Sequence, residues 1–148
     1  MTRHTAEIFW QFQAHPEDEK TYSRDHVAVF RGDQRLRVSA AETYKGSRDC
    51  GDPEQLLLSA VASCHMLTFL AIAEMQGLKV ESYKDRAQGR LEKVPSGKMA
   101  ITHISLAPQV TFAEGFAPDE ADLKRLHHSA HKNCFIGNSL NATIDVAS

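Results

Sequence analysis

Three cysteines and eight histidines supply the thiols and imidazoles with which this chain could do nucleophilic or metal chemistry. Cys64 stands in "LLSAVASCHMLTFLAIAEM", and from Gln55 to Ala73 there is no Asp, Glu, Lys or Arg. A thiol in such a segment can be a small core hydrophobe, half of a disulfide, a metal ligand or a nucleophile. The nucleophile is the thiolate, and apolar surroundings oppose any buried charge. Nucleophilic chemistry at Cys64 therefore requires a cation close by. Cys134 ends "HHSAHKNC" and shares one helical face with Leu123, Leu126, His127 and Ala130. Two cysteines on the inner faces of two helices could meet in space. Cys50, in "YKGSRDCGDP", reads as an incidental loop thiol.

A metal site is the competing chemistry. His127 and His131 are spaced i, i+4, as two ligands on one helix face would be, with His128, Cys134 and the distant His65 as further donors. No acidic residue lies between the two histidines and there is no CxxC pair. A solvated or partly packed histidine cluster is the plainer reading, and a His/Cys metal protein remains an alternative.

These residues need elements to position them. Asp52, Pro53 and Gln55 have the spacing of an N-cap, a first helical residue and a capping-box partner. The helix they start is expected to run to about Gln76, where Gly77 ends it. A second helix is expected from about Pro118 to Asn133. Before Gly51 the chain reads as strands: Ala6 to Phe12, then a polar turn at Pro16 to Lys20. His26 to Phe30 follows, with an "RGDQ" hairpin turn into "RLRVSA". Leu78 to Val94 reads as one long strand, and "PSGK" turns the chain into Met99 to Phe112. In that last run Ile104, Leu106, Val110 and Phe112 share a parity, and Pro108 suggests an edge or bulge. "NATIDVA" is a final strand. The order predicts an α+β fold, one domain over residues 1–148, with a mainly antiparallel sheet packed on two helices.

Composition narrows the functional classes. The hydrophobic fraction is 42%, the charged fraction 24% and the formal net charge −2, values ordinary for a globular domain. Lys and Arg are scattered, so no nucleic-acid partner is expected. The uncharged run has the length of a membrane span. It contains Ser59, Ser63, His65 and Thr68 and has no flanking Lys or Arg anchor, so it reads as a central core helix. The N-terminus lacks a signal-peptide run, so the expected compartment is the reducing cytoplasm.

"DPEQLLLSAVASCHMLTFLAIAEMQGL" and "HHSAHKNCFIGNSLNATIDV" resemble the OsmC/Ohr family, the osmotically inducible and organic hydroperoxide resistance proteins. Its pattern is an N-P-E-[EQ]-L helix start, a small-residue stretch ending in A-C, and a second helix ending in a cysteine before the last strand. Here the start is Asp52-Pro53-Glu54-Gln55-Leu56, with Asp for Asn, and Ser63-Cys64 follows ten residues after Glu54. Cys134 is followed by Phe135 where better-known branches have proline. The resemblance implies an OsmC-like fold with one long buried central helix and an intertwined homodimer. It implies thiol-dependent reduction of organic hydroperoxides, with Cys64 as peroxidatic and Cys134 as resolving cysteine. Glu54 and Arg24 would be the active-site acid and guanidinium. Read from position alone, Glu54 is a first-turn acid favourable to the helix dipole by about 0.3 to 1 kcal/mol, and Arg24 is a solvated residue at a strand start. No bound cofactor or metal is implied; the implied reductant is an external dithiol, lipoyl-type for instance. Met66, Leu67, Phe69 and Phe135 would be apolar walls favouring bulky organic hydroperoxides. A non-catalytic, ligand-binding or redox-sensing member of the same fold is the alternative.

Overall fold

The computed structural model describes residues 1–147. They divide into two compact units, Met1–Leu56 and the chain from Leu57 onward, with the boundary inside the first long helix.

The first unit is all β up to that helix. β1 (Glu7–Phe9), β4 (His26–Phe30) and β5 (Gln34–Val38) form an antiparallel sheet in the order β1-β4-β5. β2 (Ala14–His15) and β3 (Asp18–Tyr22) form a separate hairpin. The structure departs from the expected strands at two places. The first strand is three residues long rather than seven, and the polar stretch after Pro16 enters a strand instead of remaining a turn. The β4–β5 hairpin turns as expected, through a 3-10 turn at Arg31–Asp33.

α1 (Pro53–Met75) begins where the sequence places it. Gln55 N–H donates to Asp52 Oδ1 at 2.8 Å, and Asp52 N–H donates to Gln55 Oε1 at 3.1 Å. Two backbone donors that a helix start leaves open are thus satisfied reciprocally. At the other end Gly77 adopts φ 74°, the left-handed conformation that terminates helices at low steric cost.

The second unit carries β6 (Val80–Lys84), β7 (Gln88–Lys93), β8 (Met99–Leu106), β9 (Gln109–Phe112), α2 (Glu120–Lys132) and β10 (Thr143–Val146). β6 pairs with β9, and a second sheet has the order β10-β8-β7. Among the described residues, the pairs of named strands are antiparallel except β10–β8, which is parallel. The expected strands 78–94 and 99–112 are therefore each two strands lying in different sheets. They break at the same corner, where Asp85 Oδ1 accepts the Ala107 N–H at 2.7 Å, just ahead of Pro108.

The two sheets receive different halves of α1. Val61 packs with Ile104 and Leu106, and Phe69 and Ala73 pack with Leu126, Ala130 and the β6–β9 pair. Val61, His65, Phe69 and Ala73 follow each other at i+4 and are the buried residues of α1. The rest of this apolar helix is not covered to that degree, and Leu67 is 60% exposed.

Candidate functional site

Cys64 and Cys134 come together in the second unit. Each is delivered by a helix: Cys64 by the middle of α1, Cys134 by the turn that ends α2. α2 is positioned by its own cap, with Asp119 accepting the Asp122 N–H at 2.7 Å. Its inner face is the one the sequence predicts, with Leu126, His127, Ala130 and Cys134 buried.

The two thiols are close enough for Cys64 to act on the protonation of Cys134, and neither is in a disulfide. Cys134 is 2% exposed, and burial pushes its thiol pKa up. The neighbouring Cys64 thiol adds to that rise. The Gly137 N–H acts the other way, donating to Cys134 Sγ at 3.3 Å. Cys64 is half-buried, and Thr68 Oγ1 donates to its carbonyl at 2.8 Å. Leu67 lies one turn beyond Cys64, and Phe135 directly follows Cys134 at 81% exposure. Phe69 is not a wall of this site. It is fully buried in the core, against Tyr83, Phe112 and His127.

Arg24 and Glu54 belong to the first unit. The Arg24 guanidinium donates to Thr21 Oγ1 at 3.0 Å and to the Tyr22 carbonyl, and lies 4.0 Å from the centroid of the Tyr22 ring. Glu54 is in the first turn of α1, ten residues before Cys64. That is about 15 Å along the helix axis. Cys50 is half-buried in the loop before α1.

A polar pair that spacing does not reveal links the same two helices. His65 Nε2 and His127 Nδ1 are 3.1 Å apart, with the rings nearly parallel at 9°. Both residues are almost completely buried. Burial lowers the His65 pKa to about 4, with His127 and His131 adding to the effect. Burial also lowers His127, and the negative charge of Asp85 works against that. The only hints in the sequence are the inward position of His127 and a histidine inside an apolar helix. Among the described residues, no three His, Cys, Asp or Glu side chains converge as metal ligands would.

A family model described as OsmC-like protein matches residues 46–148. An OsmC-like protein of unknown function from Vibrio cholerae is 36% identical, with 99% of each chain covered and a TM-score of 0.92. An organic hydroperoxide resistance protein from Legionella pneumophila shares the fold at 16% identity, covering 99% of this chain and 94% of that one, TM-score 0.73. An uncharacterised protein from Bacillus subtilis, YmaD, is 24% identical over 110 residues, which is 74% of this chain and 73% of the relative.

Proposed function

The chain belongs to the OsmC-like family, and from that premise we propose that it is a two-cysteine thiol peroxidase that reduces organic hydroperoxides in defence against oxidative stress. The observation that carries this reading is the closeness of the Cys64 thiol, on α1, to the Cys134 thiol, just past the end of α2 in the same unit. A thiol pair in reach of each other, both free, has the arrangement that sulfenic acid chemistry needs.

In the proposed cycle the Cys64 thiolate attacks the distal oxygen of the hydroperoxide. The O–O bond breaks, an S–O bond forms, and the alkoxide leaves and takes up a proton to become an alcohol. Cys134 then attacks the Cys64 sulfur, and the S–O bond breaks. Hydroxide departs as water with the proton that Cys134 gives up. The buried Cys134 rests protonated, and the Gly137 N–H stabilises its sulfur as it acquires charge. An external dithiol supplies two electrons to reopen the disulfide, a lipoyl-type group being one with that chemistry. The cycle draws on no bound cofactor or metal.

Arg24 is the proposed cation that favours the Cys64 thiolate and orients the peroxide, and Glu54 the acid that holds the guanidinium. The distance along α1 sets a condition on this. A Glu54 that serves a given Cys64 has to come from a second copy of the chain. The active unit is thus a homodimer, which also covers the apolar surface of α1 around Leu67. Leu67 and Phe135, apolar and exposed next to the thiols, favour an alkyl or aryl hydroperoxide over hydrogen peroxide. The proposed compartment is the cytoplasm, where dithiol reductants keep the pair reduced.

Turnover tests the reading. Dithiol-dependent consumption of cumene hydroperoxide is expected for the native protein, with Cys64→Ser lowering it by at least about a thousandfold, the scale of losing a covalent nucleophile. Equal kcat/KM for hydrogen peroxide would contradict the substrate class. Native-level turnover by Cys64→Ser would contradict the mechanism.

A further inference from the structure

The buried histidine pair has no part in the cycle above, yet it joins the two helices that carry the thiols. His65 is the residue after Cys64, and His127 lies seven residues before Cys134 on the same face of α2. The two residues are 1% and 3% exposed. Two buried imidazoles are costly to desolvate, and apolar side chains of similar volume would fill the space without that cost. What the imidazoles add is direction. The surrounding contacts of Phe69, Ala73, Leu126 and Ala130 are apolar and tolerate a small slide of one helix on the other. A 3.1 Å hydrogen bond does not.

The tautomer follows from the neighbours. His65 Nδ1 is buried and has no hydrogen-bond partner. With His65 donating through Nε2, that orphan is a bare acceptor. The reverse arrangement would bury a bare N–H, which is the rarer and costlier case. His65 Nε2–H therefore donates to His127 Nδ1. The tolerance of the thiols is equally narrow. A disulfide accepts Cα separations of only about 4.4 to 6.8 Å, whereas a slip of one residue moves a helix by about 1.5 Å.

We propose that the His65–His127 hydrogen bond is a positioning device for the two-cysteine chemistry: it fixes the register of α1 against α2, and so the approach of Cys134 Sγ to Cys64. Both residues are positioning residues, since their rings meet each other and not the reacting sulfurs. The proposal rests on the reading of Cys64 and Cys134 as a redox pair. Its consequence is that a Cys64 sulfenic acid closes to the disulfide with release of water before a second peroxide oxidises it further.

The test is the thiol–disulfide equilibrium of the Cys64–Cys134 pair in glutathione buffers, which needs no peroxide. His127→Asn keeps an acceptor oxygen near the position of Nδ1, and His127→Leu removes it. The effective concentration of the pair should fall about tenfold or more in His127→Leu and return to within about twofold of native in His127→Asn. His65→Gln and His65→Met make the same comparison from α1, and either set decides if a Leu variant does not fold. Equal effective concentrations in the native, polar and apolar forms would overturn the proposal, as would equal losses in the polar and apolar variants. Native protein that forms the disulfide in glutathione but consumes no organic hydroperoxide would refute the peroxidase and leave the positioning role standing on these values.

Discussion

At the scale of residues, the proposed chemistry rests on two thiols, and the helices that deliver them are joined by two buried imidazoles. Cys134 is the thiol held protonated by burial, so its removal has a defined consequence. With Cys134→Ser, Cys64 should still be oxidised, but peptide mass mapping should find sulfinic acid at Cys64 where the native protein gives a disulfide. His65 adds to the acid sensitivity of the fold. Its pKa of about 4, against the ordinary 6.5, means that the unfolded chain takes up a proton that the folded chain refuses. Above about pH 6.5 both states are neutral and the stability is fully present. As pH falls from there toward 4 the stability is lost, by on the order of 3 kcal/mol from this group. His127, lowered by burial as well, acts in the same direction. Urea denaturation should follow this slope in the native protein, and His65→Leu, if folded, should flatten it. An unchanged slope in that variant would assign the acid sensitivity elsewhere.

At the scale of elements, α1 was legible because its signals are local. The Asp52–Gln55 capping box is written in residues three apart, and both of its hydrogen bonds form. Asp52→Ala should cost about 1 kcal/mol in thermal or chemical denaturation. The inner face of α2 was equally readable from the spacing of Leu126, His127, Ala130 and Cys134. The merged strands had a different cause. The period-two pattern continues through Asp85 and through Pro108, so each pair of strands reads as one. What divides them is a hydrogen bond between two points far apart in sequence, Asp85 and Ala107. The imidazole contact escaped for the same reason, since 62 residues separate its partners. The thiols were found because the family pattern marks both, which periodicity alone would not do. Tight backbone packing adds a further expectation in the first unit. A Cβ on Gly46 would come within 1.6 Å of the Ala40 carbonyl oxygen. Gly46→Ala should therefore destabilise the protein by about 2 kcal/mol or more, read as a lower denaturation midpoint.

At the scale of the whole molecule, the unburied part of α1 and the position of Glu54 lead to the same expectation. Leu67 is 60% exposed on a helix with no charge between Gln55 and Ala73, and Glu54 sits about 15 Å along the axis from its own Cys64. Light scattering should give the mass of a dimer, and Leu67→Asp should shift it toward the monomer and lower peroxide turnover with it. A native monomer with full activity would remove the second copy from the mechanism. The central claim is narrower than the assembly: Cys64 and Cys134 are one redox pair. Reduced protein mixed with one equivalent of cumene hydroperoxide, then alkylated and mapped by mass spectrometry, tests it most directly. The expected result is loss of both thiols, a Cys64–Cys134 disulfide and unmodified Cys50; retention of all three thiols, or a disulfide through Cys50, would contradict the pairing.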